Sequence, residues 1–339
     1  MIGNPSQALP INPVPIVTQW ALDYLTEDRE DDHRQRRKCC GCLGSILRWI
    51  PVIFMGAILV YSYYVYVWHL CLQKMTNYIV MGVLLLWYHL LLVMFLWTYW
   101  RSIWTRVVPI PDEWSIPDAD WRRLQRADGL VERRRILVAV AGSLPISMCD
   151  QNGVVRYCAY CRIIKPDRAH HCRTCQRCIL KMDHHCPWVN NCVHFHNYKF
   201  FVLFLFYSSL YCLDILVTLL HHLHHEWGFD FDNVTMDSLL TMVPLVFAMI
   251  FSSAALIMLG IHIYFVLVNR TTMESAHSPI FCVAGRTRKN FSLGRCANFC
   301  EVFGYRWYLW PLPIYSSCGN GLTFPIFNNR DGSVSSTGV

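Results

Sequence analysis

Charged residues are scarce in this chain. Only 16% of its 339 residues are charged and 54% are apolar, whereas a soluble domain is charged at about a quarter of its positions. The N-terminus lacks a basic start followed at once by an apolar core, so we expect no cleaved signal peptide. We also expect no myristoylation, because Ile2 stands where that modification needs glycine. The composition favours a membrane protein over a soluble globular one.

Four long apolar runs explain this composition. Each is long enough to cross a hydrocarbon layer of roughly 30 Å at about 1.5 Å per residue, and four such runs are not expected of buried core helices. We therefore predict an α-helical polytopic membrane protein with four transmembrane helices. Helices one and two fall at about 49–71 and 77–100, and helices three and four at about 200–220 and 239–268.

The charges in the loops predict the topology. Residues 101–199 carry 16 Lys and Arg, and the 222–238 loop carries none. The positive-inside rule then assigns 1–48, 101–199 and 269–339 to the cytosol, so both termini are cytosolic. We assign the net charge of +7 to the membrane surface and expect no nucleic-acid partner. Two modification sites are candidates on this topology: the sequon at Asn233 in a lumenal loop, and juxtamembrane acylation at Cys39, Cys40 and Cys42.

A cysteine–histidine segment lies between the second and third runs. Zinc prefers four nitrogen or sulfur ligands in a tetrahedron, and Cys-x2-Cys spacing supplies two thiolates from one turn. Two closed sites consume eight ligands and the segment has eleven, so three groups are left over; with three cysteines and one histidine per site, these are one cysteine and two histidines. A spare cysteine beside a spare histidine could form a thiol nucleophile with its base. A purely structural zinc module remains the alternative, and spacing does not identify the spare cysteine. The eleven residues are Cys158, Cys161, His170, His171, Cys172, Cys175, Cys178, His184, His185, Cys186 and Cys192.

One motif in this segment carries a family resemblance. Asp183-His184-His185-Cys186-Pro187-Trp188 resembles the signature of the DHHC protein palmitoyltransferases, and Thr271-Thr272-Met273-Glu274 resembles that family's Thr-Thr-x-Glu motif. Asn298, with Val302-Phe303-Gly304, resembles its C-terminal element. The resemblance covers roughly residues 45–325, with a zinc-binding core at 156–199. It implies a protein S-acyltransferase that moves a long-chain acyl group from acyl-CoA to protein cysteines.

The resemblance also implies the role of each site residue. One zinc is expected on Cys158, Cys161, His171 and Cys178, and the second on Cys172, Cys175, His185 and Cys192. Cys186 is then the nucleophile, His184 its general base, and Asp183 the group that orients the imidazole. Thr271, Thr272 and Glu274 are expected to tie the C-terminal segment to the catalytic domain, and Asn298 is expected to have a structural role in the C-terminal element. A membrane-anchored zinc scaffold or ubiquitin-ligase-like adaptor, and a transporter, are the competing classes.

The acyl-CoA co-substrate needs a site of its own. A phosphate-rich head group favours Lys and Arg, so Arg156, Lys165 and Arg168, with His170, are the candidates; a basic face that meets anionic lipid is the alternative. Trp188 is expected at the mouth of the acyl cavity, and a role as an anchor at the membrane interface is the alternative. By resemblance, Ser62 and Tyr211 close it at a depth that suits a palmitoyl chain. The expected partners are acyl-CoA, the bilayer and protein substrates with juxtamembrane cysteines. The expected organelle is the Golgi, with the ER and the plasma membrane as alternatives.

Overall fold

The computed structural model describes residues 44, 46–227, 236–282, 289–328 and 334–336. The chain divides into two units between Ile50 and Pro51, and the sites described below lie in the second unit. The candidate acylation sites at Cys39, Cys40 and Cys42 and the sequon at Asn233 lie outside the described residues, as does most of the predicted N-terminal segment.

Two long apolar helices begin the second unit. Helix α1 spans Ile50–Tyr63 and continues in wider, π-helical turns over Tyr64–Lys74. Helix α2 spans Tyr78–Trp104. It begins at Asn77 because the side-chain oxygen of Asn77 accepts hydrogen bonds from the backbone N–H groups of Ile79 and Val80. Both helices are long and apolar enough to cross a membrane.

Short elements fill the segment between the second and third spans. Helices α3 (Asp118–Arg126) and α4 (Gly129–Val140) come first, followed by strand β1 (Met148–Cys149). Three two-stranded antiparallel hairpins then carry the cysteine–histidine segment. Their strands are β2 (Tyr157–Cys158), β3 (Ile163–Ile164), β4 (His170–Cys172), β5 (Arg177–Ile179), β6 (His184–Cys186) and β7 (Asn191–Val193).

The third and fourth spans follow directly. Helix α5 covers Tyr198–Trp227 and helix α6 covers Met236–Val268, which runs through Pro244 without a break. In α5, 61% of the most apolar stretch is buried, against 17–22% in the other three spans. Helix α5 is therefore the central span, packed between α2 and α6. The four spans, with the cysteine–histidine segment between the second and third, confirm the predicted fold class.

The C-terminal elements fold back onto the segment between the spans. Helix α7 (Thr272–Ala276) leads to strand β8 (Ile280–Phe281), which pairs antiparallel with β1. Strand β9 (Lys289–Asn290), helix α8 (Arg295–Phe303), and strands β10 (Pro325–Asn328) and β11 (Val334–Ser336) complete the order, with the three strands in one sheet ordered β11-β10-β9. Helix α8 packs against α5 and α6, so the C-terminal elements join the third and fourth spans to the hairpins.

Candidate active site and metal sites

The hairpin of β6 and β7 separates the residues of the motif between two faces. In the antiparallel register His185 lies opposite Cys192, and successive side chains of a strand point to opposite faces. His185 and Cys192 therefore share one face, whereas His184 and Cys186 share the other. Adjacent positions in the sequence thus serve two different sites.

Asp183 and His184 form a hydrogen-bonded pair beside the thiol of Cys186. His184 Nδ1 lies 2.6 Å from Asp183 Oδ2, and the carboxylate also accepts bonds from the N–H and the hydroxyl of Thr272 at 2.9 and 2.7 Å. Burial alone would raise the pKa of the Asp183 carboxyl, but the bond from His184, the neighbouring His262 and the Thr272 N–H hold that pKa below its ordinary value. Burial opposes protonation of His184, yet its bonds to Asp183 and Cys186 raise its pKa to about 9. The imidazole is thus a stronger base than a free histidine.

An apolar cavity of about 290 Å³ opens at this pair and runs between the spans. Cys186, His184 and Trp188 line it together with residues of all four spans. The ring of Phe201, near the start of α5, lies 5.4 Å from the ring of His184. Tyr211, which also lines the cavity, is ten residues further along α5, or about 15 Å at 1.5 Å per residue. The cavity therefore runs from the motif deep into the helix bundle.

A chain of hydroxyl groups lies at the end of the cavity that is farther from the motif. Ser62 Oγ donates to the Leu59 carbonyl at 3.0 Å, which leaves it to accept from the Tyr211 hydroxyl at 2.9 Å. The Tyr211 oxygen in turn lies 2.7 Å from the hydroxyl of Tyr88. Ser62 and Tyr211 are 4% and 2% exposed. The structure thus brings the two predicted closing residues together, on helices α1 and α5.

Two quartets of ligand atoms lie beside the active site. Every predicted metal ligand belongs to one of them, and within each quartet the ligand atoms lie within 4.8 Å of one another. The first quartet joins the β2–β3 and β4–β5 hairpins, and the second joins β4–β5 to β6–β7. Their members are Cys158, Cys161, His171 and Cys178, then Cys172, Cys175, His185 and Cys192.

The spacing within each quartet fits a tetrahedral zinc ion. With Zn–S and Zn–N bonds of about 2.3 and 2.05 Å, a tetrahedron has sulfur–nitrogen edges of about 3.6 Å. The sulfurs of the first quartet lie 3.3–3.9 Å from His171 Nδ1. Those of the second lie 3.5–3.8 Å from His185 Nδ1. Both quartets could therefore hold a metal ion, with one imidazole and three thiolates each.

Arg168 does not belong to a surface that could bind a CoA head group, contrary to the sequence prediction. Its side chain is fully buried, and its Nε and Nη2 atoms each donate to Glu274 at 2.7 Å. Its Nη1 and Nη2 atoms also donate to the side-chain and backbone oxygens of Asn269. Four of the five guanidinium N–H groups are therefore bonded within the protein, and the side chain exposes no surface at which a phosphate could reach it.

Glu274 and Thr271 hold the start of α7. Thr271 Oγ1 accepts from the Glu274 N–H at 3.2 Å, and the Glu274 carboxylate accepts from the Thr271 N–H at 3.0 Å, which is a reciprocal capping box. The same carboxylate binds Arg168, and Thr272 binds Asp183. Helix α7 therefore connects the motif to a buried ion pair.

Asn298 holds the C-terminal elements to the end of the fourth span. Its amide donates to the Leu267 carbonyl and to the Ser292 hydroxyl, and its oxygen accepts from the Leu293 N–H. It is 1% exposed. This arrangement fits the structural role expected from the sequence.

The other candidates for the CoA head group lie close to one another. Arg156 is half-buried and donates to the Ala169 carbonyl at 2.6 Å, and Lys165 is half-exposed. Burial, with the positive charges of Arg156, Lys165 and Arg168, lowers the pKa of His170 to about 4. His170 is therefore neutral at pH 7 and can offer a phosphate a hydrogen bond but no charge.

Two buried residues of this site were missed by the sequence prediction. His262 in α6 is 1% exposed; its ring lies 5.8 Å from that of His184, and its Nδ1 lies 3.1 Å from the hydroxyl of Tyr198. Tyr88 in α2 extends the hydroxyl chain at the closed end. His262 had a usable signal, since an ionisable residue within a span is a candidate functional residue. Tyr88 had none, because tyrosine is common in such helices.

Comparisons with known proteins agree with this geometry. The family model described as DHHC palmitoyltransferase matches residues 151–279. The chain is 42% identical over 303 residues to palmitoyltransferase ZDHHC2 of Homo sapiens, which covers 89% of this chain and 81% of that protein. It is 42% identical over 280 residues to ZDHHC2 of Danio rerio, covering 83% and 77%. It is 37% identical over 285 residues to palmitoyltransferase ZDHHC15 of Xenopus laevis, covering 84% of each.

Identity of this level over most of both chains shows common descent, so the chain belongs to the DHHC palmitoyltransferase family. It is an integral membrane enzyme of the protein S-acyltransferase class.

Proposed function

We propose that Cys186 carries the acyl group during transfer. The observation that supports this most is the position of its thiol, which lies on the same hairpin face as His184 and lines the apolar cavity. In the first step the Cys186 sulfur attacks the acyl-CoA thioester carbonyl, and the CoA sulfur leaves with a proton. In the second step the sulfur of a protein cysteine attacks the acyl-Cys186 thioester and regenerates the thiol. Such covalent catalysis predicts ping-pong kinetics.

His184 moves the proton in both steps. The thiolate of a cysteine, and not the thiol, is the nucleophile, so Cys186 must give up its proton to attack. Asp183 accepts the Nδ1 proton of His184, which leaves Nε2 to take the proton of Cys186 and pass it to the CoA sulfur. Because Thr272 donates two bonds to Asp183, the carboxylate is held in the orientation that fixes the ring. Asp183 and Thr272 therefore act by positioning His184.

The acyl chain occupies the cavity, with its carbonyl at Cys186 and its methyl end near Tyr211 and Ser62. Trp188 is 42% exposed and lines the cavity beside Cys186, which suits a position at the mouth. The depth between the motif and Tyr211 is comparable with an extended sixteen-carbon chain, and this supports a preference for palmitoyl-length groups. Arg156 and Lys165 supply positive charge to the phosphates of the head group, and His170 supplies a hydrogen bond.

The two quartets would hold two zinc ions, and these would be structural. Each quartet supplies a complete set of four protein ligands, so no position is left open for a substrate. When bound, the ions join the three hairpins and hold β6 in place. The chemistry is then carried out by the side chains on the opposite face of that strand.

The enzyme is oriented with the hairpins and both termini in the cytosol, where acyl-CoA and its protein substrates meet. The excess of Lys and Arg between the second and third spans supports this orientation. Substrates are proteins with cysteines near the membrane, because the Cys186 thioester lies where a span begins. The organelle is the Golgi, with the ER and the plasma membrane as alternatives.

A pair of substitutions separates this enzyme from a membrane-anchored zinc scaffold. Cys186→Ser should abolish transfer from palmitoyl-CoA to a cysteine peptide while both metal equivalents and the thermal midpoint are kept. Cys158→Ala should release metal and lose activity through unfolding. Cys296→Ser, which removes an exposed thiol outside the quartets, is the matched control and should retain activity. Full transfer by the Cys186→Ser enzyme would show that Cys186 does not carry the acyl group, and absence of transfer by the wild-type protein would favour the scaffold.

A further inference from the structure

Two cysteines outside the metal quartets are joined by a disulfide. Cys149 in β1 is bonded to Cys282, which follows β8; they are 133 residues apart in the chain, and their Cα atoms lie 5.1 Å apart. In the proposed orientation both lie in the cytosol, where disulfides are rare and are usually transient, catalytic or redox-sensing. This location favours a bond that forms and breaks over a permanent cross-link.

The backbone brings the two thiols together independently of the bond between them. Strands β1 and β8 pair with Met148 opposite Phe281 and Cys149 opposite Ile280. The Cys282 N–H donates to the Ser147 carbonyl at 2.7 Å. These hydrogen bonds set the register, so the two thiols remain neighbours when the disulfide is reduced.

The disulfide holds one end of segment 272–282, and the other end of that segment contacts the active site. At its start, Thr272 binds Asp183 and Glu274 binds Arg168. At its end, ten residues after Thr272, Cys282 joins β1. The backbone of β1 is itself held by Asp167, whose carboxylate accepts from the Met148 N–H at 2.9 Å, and Asp167 immediately precedes Arg168. Segment 272–282 is therefore attached at both ends to the part of the chain that carries the motif.

We propose that Cys149 and Cys282 form a reversible redox site. Their disulfide fixes the end of segment 272–282 to strand β1, and we call this cross-link the latch. The oxidant is a low-molecular-weight disulfide such as oxidised glutathione. Cys282 is exposed and Cys149 is 6% exposed, so the Cys282 thiolate attacks first and releases one glutathione thiolate. The Cys149 thiolate then attacks the mixed disulfide and releases the second. Two protein thiols are oxidised, and one glutathione disulfide is reduced to two glutathione molecules.

The first test follows the bond directly and needs no enzymatic activity. Purified full-length protein is equilibrated in glutathione buffers from fully reduced to fully oxidised, alkylated and digested with trypsin. Cys149 is the sole cysteine of fragment 136–156, and Cys282 is the sole cysteine of fragment 271–286, so a linked pair of these fragments reports the disulfide. We expect the linked pair to appear and disappear within the series, with both metal equivalents retained throughout.

The second test measures how much the Cys149–Cys282 disulfide stabilises the protein against heat. Because the bond closes a loop of more than a hundred residues, oxidation should raise the thermal midpoint on the order of 5 °C. It should also preserve more palmitoyl transfer after a fixed heating step. Cys282→Ser should show neither change, whereas Cys296→Ser, which lacks a different exposed thiol, should show both. Oxidation at Cys186 or at a metal ligand would affect the two variants alike, so their difference isolates the latch.

Three results would overturn the proposal. The first is the absence of the linked fragments at every ratio of reduced to oxidised glutathione. The second is their persistence in a strong dithiol, which would make the bond a permanent structural cross-link. The third is an equal thermal midpoint for the oxidised, reduced and Cys282→Ser proteins. The fragment analysis is independent of the proposed transfer mechanism, so failure of that mechanism and failure of the latch are distinguishable.

Discussion

Replacement of Tyr211 by alanine should lengthen the acyl chain that the enzyme prefers. Tyr211 is 2% exposed, lines the cavity and contacts the hydroxyl groups of Ser62 and Tyr88. Loss of the phenol ring opens space at the end where the methyl group of a palmitoyl chain would lie. If the proposed cavity binds the acyl chain, longer chains should then gain apolar contacts that the ring of Tyr211 denies them in the wild type.

The size of the effect follows from the cost of exposing methylene groups. Each buried CH₂ contributes about 0.8 kcal/mol, so two further carbons contribute about 1.6 kcal/mol, or roughly 15-fold in relative kcat/KM. The eighteen-carbon chain should therefore gain on the sixteen-carbon chain by about one order of magnitude in the Tyr211→Ala enzyme. Removing a buried ring also costs stability of about 3–5 kcal/mol, so rates are compared per folded, metal-loaded enzyme.

The assay is a competition among acyl-CoA molecules of fourteen to twenty carbons for a single cysteine peptide. Tyr211→Phe is the matched control, because it keeps the ring and loses only the hydroxyl contacts. We expect its length profile to stay close to that of the wild type. An unchanged profile in Tyr211→Ala, with the enzyme folded and active, would show that Tyr211 does not close the cavity.

Three further experiments test other parts of the site. Glu274→Gln should leave Arg168 as an uncompensated buried charge and lower the free energy of unfolding by about 3–5 kcal/mol. The KM for acyl-CoA should stay unchanged. A raised KM with normal stability would instead indicate that Arg168 binds the CoA head group. His185→Ala should release one of two metal equivalents and abolish transfer. His184→Ala should keep both metal equivalents and lower kcat by about 10²–10⁴-fold. Metal loss from the His184→Ala enzyme would refute the division of the hairpin into two faces. His262→Ala should lower kcat without metal loss. His262→Gln should restore part of the activity, because glutamine can keep the hydrogen bond to Tyr198. An unaffected kcat would show that His262 contributes only to packing.

Features encoded by local pattern were predictable from the sequence. The spans follow from long apolar runs, which are uncharged except for Asp214 in the third, and their helices have similar limits in the structure. Two quartets of cysteine and histidine were expected from spacing together with the family resemblance, and β6 explains why neighbouring histidines serve different sites. Strand alternation places His184 beside Cys186 and His185 beside Cys192, and this depends only on a short-range rule.

Features that depend on distant pairing were not predictable. Arg168 looks like a surface cation in sequence, because arginine is mostly exposed in proteins unless it is paired. Its partner Glu274 lies 106 residues away, and no local signal links the two. The disulfide between Cys149 and Cys282 was missed for the same reason, since it depends on the pairing of β1 with β8. His262 stands in an apolar run, where its proximity to His184 emerges only when α6 packs against α5.

The most direct test of the account is the location of the acyl group in the enzyme itself. Purified protein is incubated with labelled palmitoyl-CoA without an acceptor, digested with trypsin, and the fragment 182–199, which contains Cys186 and Cys192, is sequenced by mass spectrometry. The account predicts a hydroxylamine-sensitive label on Cys186 that is lost in Cys186→Ser and chased by a cysteine peptide. Label confined to other cysteines, in an enzyme that still transfers palmitate, would contradict it.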